Sequence, residues 1–270
     1  MGYNLTVKKP GAAIAIAAHP DDIEFTMAGT LLLLKRAGYD IHYFNLLSGN
    51  CGSTVFSPSA TARVRRTEAR RAARALGATW HAPIAHDLEL VYSIPLLRKV
   101  AAVIREARAS IVLTHAPQDY MEDHMETCRL AVTAAFAHSA PNFRTTPPRK
   151  AYFDDVAVYH AMPHGLRDGL RTRVTAGAFV NTSSVYDGKL AALAMHQSQQ
   201  KWLQIAQGMN SYLQAMAETS LAMGRLSRRF THAEGWRRHL HHQFSQTEID
   251  PLAKALGRNY LVNAAYERSL

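Results

Sequence analysis

Two short polar clusters in this 270-residue chain combine residue types that can hold a metal ion and act on water. The first is His19-Pro20-Asp21-Asp22, directly after the apolar run 12–18. An imidazole and a carboxylate with two residues between them are suitable zinc ligands. A catalytic zinc typically takes three protein ligands and keeps one position open. Asp21 points differently from Asp22 and is free to act on a water at the metal. The same four residues could instead form a turn with an N-cap, since Asp before a helix is common. The second cluster is Asp119-Tyr120-Met121-Glu122-Asp123-His124, at the start of a helical stretch. His124 would supply a third ligand, and Asp123 a carboxylate that orients a neighbouring imidazole. The helix dipole alone explains acids such as Glu122 and Asp123 at a helix start. It does not explain His124.

The elements that must position these clusters alternate. Residues 12–18 form a continuous apolar run, as expected of a strand buried on both faces. Helical spacing follows over about 26–37, a strand over 41–47, and a Gly/Ser/Asn-rich loop over 48–59. Further helices are expected over about 60–76 and 94–109, a strand over 110–114, and a helix over 122–136. This order predicts an α/β fold, an open and mostly parallel sheet with helices on both faces. Such sheets place their sites at the carboxyl ends of the strands, where both clusters fall. After Pro141, strands are expected over 155–160 and 176–180 and a helix over 184–196. A long helical pattern over about 198–229 has Leu203, Met209, Leu213, Met216 and Leu221 among its apolar positions. Pro251 opens a last helix. The expected division is a catalytic domain over 1–200 and a helical extension over 201–270, packed on it or at a subunit contact of a homo-oligomer.

A hydrophobic fraction of 47% with 19% charged residues fits a soluble globular chain rather than a disordered one. Cys51 and Cys128 make no disulfide framework. No apolar run is long enough to span a bilayer. Lys8 and Lys9 before the run 12–18 faintly resemble a signal peptide, and Gly2 with Thr6 the loose myristoylation pattern. The run leads straight into His19, so a buried strand is the better reading. A cytoplasmic protein without stable membrane insertion is expected. The net charge of +10 is clumped in arginines over 63–74 and 225–238. These read as solvated helix faces, or as attraction to an anionic partner. Without a nucleic-acid motif, no nucleic-acid partner is expected.

The run Ala18-His19-Pro20-Asp21-Asp22 resembles the signature of the PIG-L/LmbE-like (GlcNAc-PI de-N-acetylase) family of zinc-dependent deacetylases. Arg65 and Glu68 are similar to that family's Arg-x-x-Glu helix, ahead of Leu76-Gly77. Asp123-His124 matches its second metal motif. His196-x-Ser198-Gln199, after Lys189, resembles its later His-x-Ser-Gln element. The ordered match spans about residues 10–205. The resemblance implies a Rossmann-like fold and removal of an acetyl group from an N-acetylglucosamine-like substrate. It implies Zn2+ held by His19, Asp22 and His124, with Asp21 as general base. Arg65 would orient substrate, with His196 at the substrate pocket and Asp123 beside the catalytic groups. Independently of the resemblance, the loop 49–53 after the second strand places Asn50 at the pocket's border, or is simply a tight turn.

One departure bears on mechanism. Many relatives have His-Pro-Asp-His where this chain has Met121-Glu122-Asp123-His124. The missing histidine usually stabilises the oxyanion or protonates the leaving amine. A lost donor of that kind costs roughly a hundredfold in rate or more. His160 and His164 are the first replacements expected, with His196 and Tyr120 next. The alternatives are an amidase on a non-sugar amide or thiol conjugate and a non-catalytic sugar-binding relative. A nucleotide-binding enzyme is disfavoured, because no Gly-x-Gly-x-x-Gly follows the first strand.

Overall fold

The computed structural model describes residues 10–207 and 212–270. Gly2, Thr6, Lys8, Lys9 and Met209, weighed above, lie outside the described residues. The first half alternates as expected, with β1 (Ala12–Ala17), α1 (Asp22–Thr26), α2 (Ala28–Arg36), β2 (Asp40–Asn45) and α3 (Pro58–Leu76). There follow β3 (Thr79–His81), α4 (Ile94–Ala107), β4 (Ala109–Thr114), α5 (Glu122–Phe136) and β5 (Ala157–Ala161). The second half holds β6 (Ala178–Asn181), α6 (Tyr186–Leu193), α7 (Gln197–Gln207) and α8 (Tyr212–Ser227). It continues with β7 (Ala233–Arg238), α9 (Pro251–Leu256) and β8 (Tyr260–Val262).

All eight strands form one open sheet in the order β3-β2-β1-β4-β5-β7-β6-β8. The five strands from β3 to β5 run parallel, and the β7, β6 and β8 pairings are antiparallel. Every residue of β1 is buried, because separate apolar clusters cover the two faces of the sheet. The chain leaves β1 towards β2 on one side and later enters β4 on the other. The loops after β1 and β4 therefore diverge and leave a crevice at their carboxyl ends, the usual site in such sheets.

Local chemistry sets the helix that flanks this crevice. Ser57 caps α3 by accepting the Ala60 N–H, Pro58 occupies the first turn, and Gly77 ends the helix at φ 69°.

The expected helical extension over 201–270 is corrected by the sheet, because β7 and β8 both come from that segment. Its strand β7 sits between β5 and β6, anchored by Glu234. That carboxylate accepts the Gly29 and Thr30 N–H groups and the Thr30 hydroxyl, and it pairs with Lys189 Nζ at 2.7 Å. Two otherwise unpaired N–H groups in the first turn of α2 are thus satisfied by a strand two hundred residues away. Gly29 permits the approach, since a Cβ there would lie 2.4 Å from Thr182 Cγ2. Among the described residues, no helix is long and apolar enough to cross a membrane.

Candidate metal centre

His19 and Asp22 are brought together by the turn that leaves β1. Asp22 Oδ2 accepts the His19 backbone N–H at 2.7 Å and lies 3.4 Å from His19 Nδ1. Asp21 adopts φ 113°, a left-handed conformation that non-glycine residues rarely hold without cause. It points the two adjacent carboxylates at different partners. Asp22 faces the imidazoles, whereas Asp21 Oδ2 lies 3.3 Å from Arg65 Nη2 and meets the Tyr212 hydroxyl.

His124, in the first turn of α5, closes the set, with Nε2 3.4 Å from Asp22 Oδ2. Tetrahedral zinc with bonds near 2.0–2.1 Å needs donors spaced by about 3.3 Å. Both imidazole–carboxylate separations meet that requirement, and the three donors lie within 4.8 Å of one another. The second nitrogen of each imidazole is held by its own carboxylate. His19 Nε2 is 3.1 Å from Asp123 Oδ2, and His124 Nδ1 is 3.0 Å from Asp119 Oδ1. Such partners fix the ring and its tautomer in metal sites. The residues therefore fit a divalent cation with His19, Asp22 and His124 as ligands.

His115, Asp119 and His124 form a second cluster of donors. The His115 and His124 rings stack at 4.1 Å with planes only 6° apart. Lone pairs lying in parallel ring planes cannot converge on one ion. His115 Nε2 also accepts the Ala18 N–H at 2.9 Å, so this ring braces the end of β1.

Electrostatics follow the geometry. Burial opposes charge on His19, yet Asp123 and Asp22 raise it to about 9. Burial likewise opposes charge on His124, which Asp22 and Asp119 raise to about 10. Asp22 is buried, but His124, His115 and His164 hold its carboxyl well below the usual range. Asp21 is pushed up, by burial first and by Asp22, against the pull of Arg65. A cation-ready pocket thus adjoins a carboxylate with raised proton affinity.

These groups open on a cavity of about 240 Å3 that also reaches Arg65, Asp87, Tyr120, His164, Trp202 and Tyr212. His164 Nε2 lies 3.8 Å from Asp22 Oδ1, and its ring packs on Phe25 and near His124. Met121 lines the same cavity. Of the two histidines expected to replace the one missing there, only His164 reaches the site. His160 does not line the cavity. It is buried on β5, with Nδ1 2.9 Å from the His115 carbonyl oxygen and Nε2 2.9 Å from His239 Nδ1.

His196 also departs from expectation. It is fully buried 3.2 Å from Glu24 and does not line the cavity. Asn50 stands back as well, its Oδ1 accepting the Asp87 N–H at 2.8 Å. Asp87 instead reaches the cavity, while its carboxylate accepts the Gly49 and Cys51 N–H groups. Arg65 lines the cavity, but its guanidinium is committed to the Pro20 carbonyl, Asp21 and Gln199.

His115 could have been noticed in the sequence as the residue directly after β4. Trp202 and Tyr212 lie on helices with no motif to mark them.

Comparison with known proteins agrees with this architecture. A curated relative, the 4-oxalmesaconate hydratase of Pseudomonas putida, is 26% identical over 190 residues, covering 67% of this chain and 71% of the relative. The structure of the 4-carboxy-2-hydroxymuconate hydratase from Pseudomonas putida superposes with a TM-score of 0.73 at 22% identity, over 89% of this chain and 99% of that one. The N,N'-diacetylchitobiose deacetylase of Pyrococcus horikoshii gives 0.71 at 22% identity, over 92% of each chain. At such identities these structures establish the fold alone. The family model described as PIG-L, GlcNAc-PI de-N-acetylase, matches residues 14–136, the stretch that carries all three candidate ligands. Residues 14–136 of this chain thus form a PIG-L-family (GlcNAc-PI de-N-acetylase) domain.

Proposed function

We propose that the chain is a zinc-dependent hydrolase that removes the acetyl group from an N-acetylated amino-sugar-like substrate. One observation carries this reading above the others. Asp21, a buried carboxylate of raised proton affinity, opens on the same cavity as His19, Asp22 and His124. A zinc ion held by those three residues would supply Lewis acidity towards an amide carbonyl and towards water. Asp21, steadied by Arg65 and Tyr212, accepts the proton of the attacking water. His164 faces the same space and delivers a proton to the departing amine, the task left vacant by Met121. Trp202 and Tyr120 offer aromatic walls to a sugar ring. Because both terminal nitrogens of Arg65 are already bonded within the protein, the cavity suits a neutral ligand better than a polycarboxylate.

A second reading is hydration of an unsaturated acid, favoured by the similarity to a hydratase. It would use the same metal and base and needs no protonated leaving amine.

The deciding experiment starts with metal content by elemental mass spectrometry after dialysis against zinc and then buffer. The zinc-loaded protein is then offered N-acetylated amino sugars and conjugated unsaturated acids. About one zinc per chain with acetate release supports the deacetylase. Loss of the conjugated absorbance without acetate supports the hydratase, and a larger released acid supports an amidase. Retained zinc with neither reaction supports a non-catalytic relative, and no retained metal removes the reading altogether.

A further inference from the structure

Helix α3 carries an unbalanced row of charge. Arg63, Arg66, Arg70 and Arg74 are all exposed. At 100° and 1.5 Å per residue they fall within an arc of about 80° and a length of about 16 Å. Among the described residues, none of the four is within ion-pair distance of a carboxylate, although other arginines of the chain are. The one acid on this helix, Glu68, is buried and accepts hydrogen bonds from Ser198 instead. At the far end Lys35 Nζ reaches the Gly77 carbonyl at 2.8 Å, which adds a cation to the same end of the helix.

The loop that enters α3 supplies the second feature. Val55 and Phe56 are 81% and 51% exposed, the reverse of what their side chains favour in water. Their backbone N–H groups both bond to Ser53 Oγ, at 3.1 and 3.0 Å, so a built turn presents them. A few residues earlier, Cys51 and Gly52 line the cavity.

We propose that this arginine face, together with the Val55-Phe56 tip, docks the chain on an anionic lipid bilayer as a peripheral protein. A row of guanidinium groups matches a surface of phosphates, and two exposed apolar side chains match the acyl boundary beneath it. A small soluble anion would use the first feature only. A nucleic acid would leave Val55 in water. Each basic residue near an anionic leaflet raises partitioning about fivefold, so four raise it several-hundredfold, with strong screening by salt. The inference is independent of the reaction at the metal centre.

The test is co-sedimentation of the whole chain with phosphatidylcholine vesicles and with vesicles of equal phosphatidylcholine and phosphatidylglycerol. The expected result is at least tenfold stronger binding to the anionic vesicles in 0.1 M salt, lost in 0.5 M. The triple change Arg63→Glu, Arg70→Glu and Arg74→Glu should cut that binding more than tenfold. Phe56→Ser should cut it several-fold, with far-UV circular dichroism showing that both variants fold. Equal binding to the two vesicle types, or full binding by the triple variant, overturns the proposal. So does displacement by a short DNA duplex with Phe56→Ser unaffected, which would mark a nucleic-acid face instead.

Discussion

Ser198 gives both of its donors to Glu68, the backbone N–H at 2.9 Å to Oε1 and the hydroxyl at 2.5 Å to Oε2. The adjacent Gln199 accepts from Arg65, one turn earlier on α3. Two motifs more than a hundred residues apart are thereby clasped into one wall of the cavity. Glu68→Ala should cost about 1–2 kcal/mol in urea unfolding, because it strands two half-buried donors of Ser198. It should also raise KM more than it lowers kcat, since the wall moves while the metal ligands stay.

Asp21→Asn should leave folding and zinc content intact and lower kcat by about 10²–10⁴, the usual range for a lost general base. Elemental analysis beside turnover checks both halves. Full activity in this variant would remove Asp21 from the mechanism.

Asp119→Asn and Asp123→Asn should each weaken zinc binding about 10–100-fold, as loss of a carboxylate behind a ligating imidazole does. Competition with a chromophoric chelator measures it. His115→Phe, by contrast, should keep one zinc per chain, because the stacked ring is not aimed at the ion that its neighbour would hold.

His164→Ala should reduce turnover roughly a hundredfold or more. Adding Met121→His to that variant should recover part of the loss, since both side chains border one cavity. No recovery would mean that the two positions do not address the same atom of the substrate.

His160 is buried and lowered to about 4, chiefly by desolvation. Its unfolded value is near 6.5. A depressed imidazole means that the unfolded chain binds the proton first, so stability is full above pH 6.5 and falls as pH drops towards 4. At pH 5 the loss from this residue is about 2 kcal/mol. His160→Gln should flatten the pH dependence of urea midpoints between pH 7 and 5, whatever it does to the midpoint at pH 7.

The parallel half of the sheet was legible because its strands are apolar runs and its helices carry clear stops such as Gly77. The candidate ligands were legible because His19 and Asp22 follow β1 directly and His124 lies in the first turn of the helix that follows β4. Strand β7 was not. Its sequence, Ala-Glu-Gly-Trp-Arg-Arg, has no apolar alternation. Its buried Glu234 is tolerated only because Lys189 and the start of α2 meet it, at sequence distances of 45 and about 205 residues. A local window cannot see such compensation. That His160 and His196 lie away from the cavity was not legible for a related reason: a histidine's type says nothing of whether its partner is a ligand or a buried carbonyl or carboxylate.

The position of β7 also orders events during vectorial synthesis. When residue 200 leaves the ribosome, all three candidate metal ligands and strands β1 to β6 have been made. Yet β5 and β6 have nothing to bridge them until residues 233–238 arrive. A stalled or truncated chain would therefore display a competent-looking ligand set on a sheet with a raw edge at β5, the kind of edge that recruits other strands. Arrest before residue 233 would therefore favour association with other strands over folding.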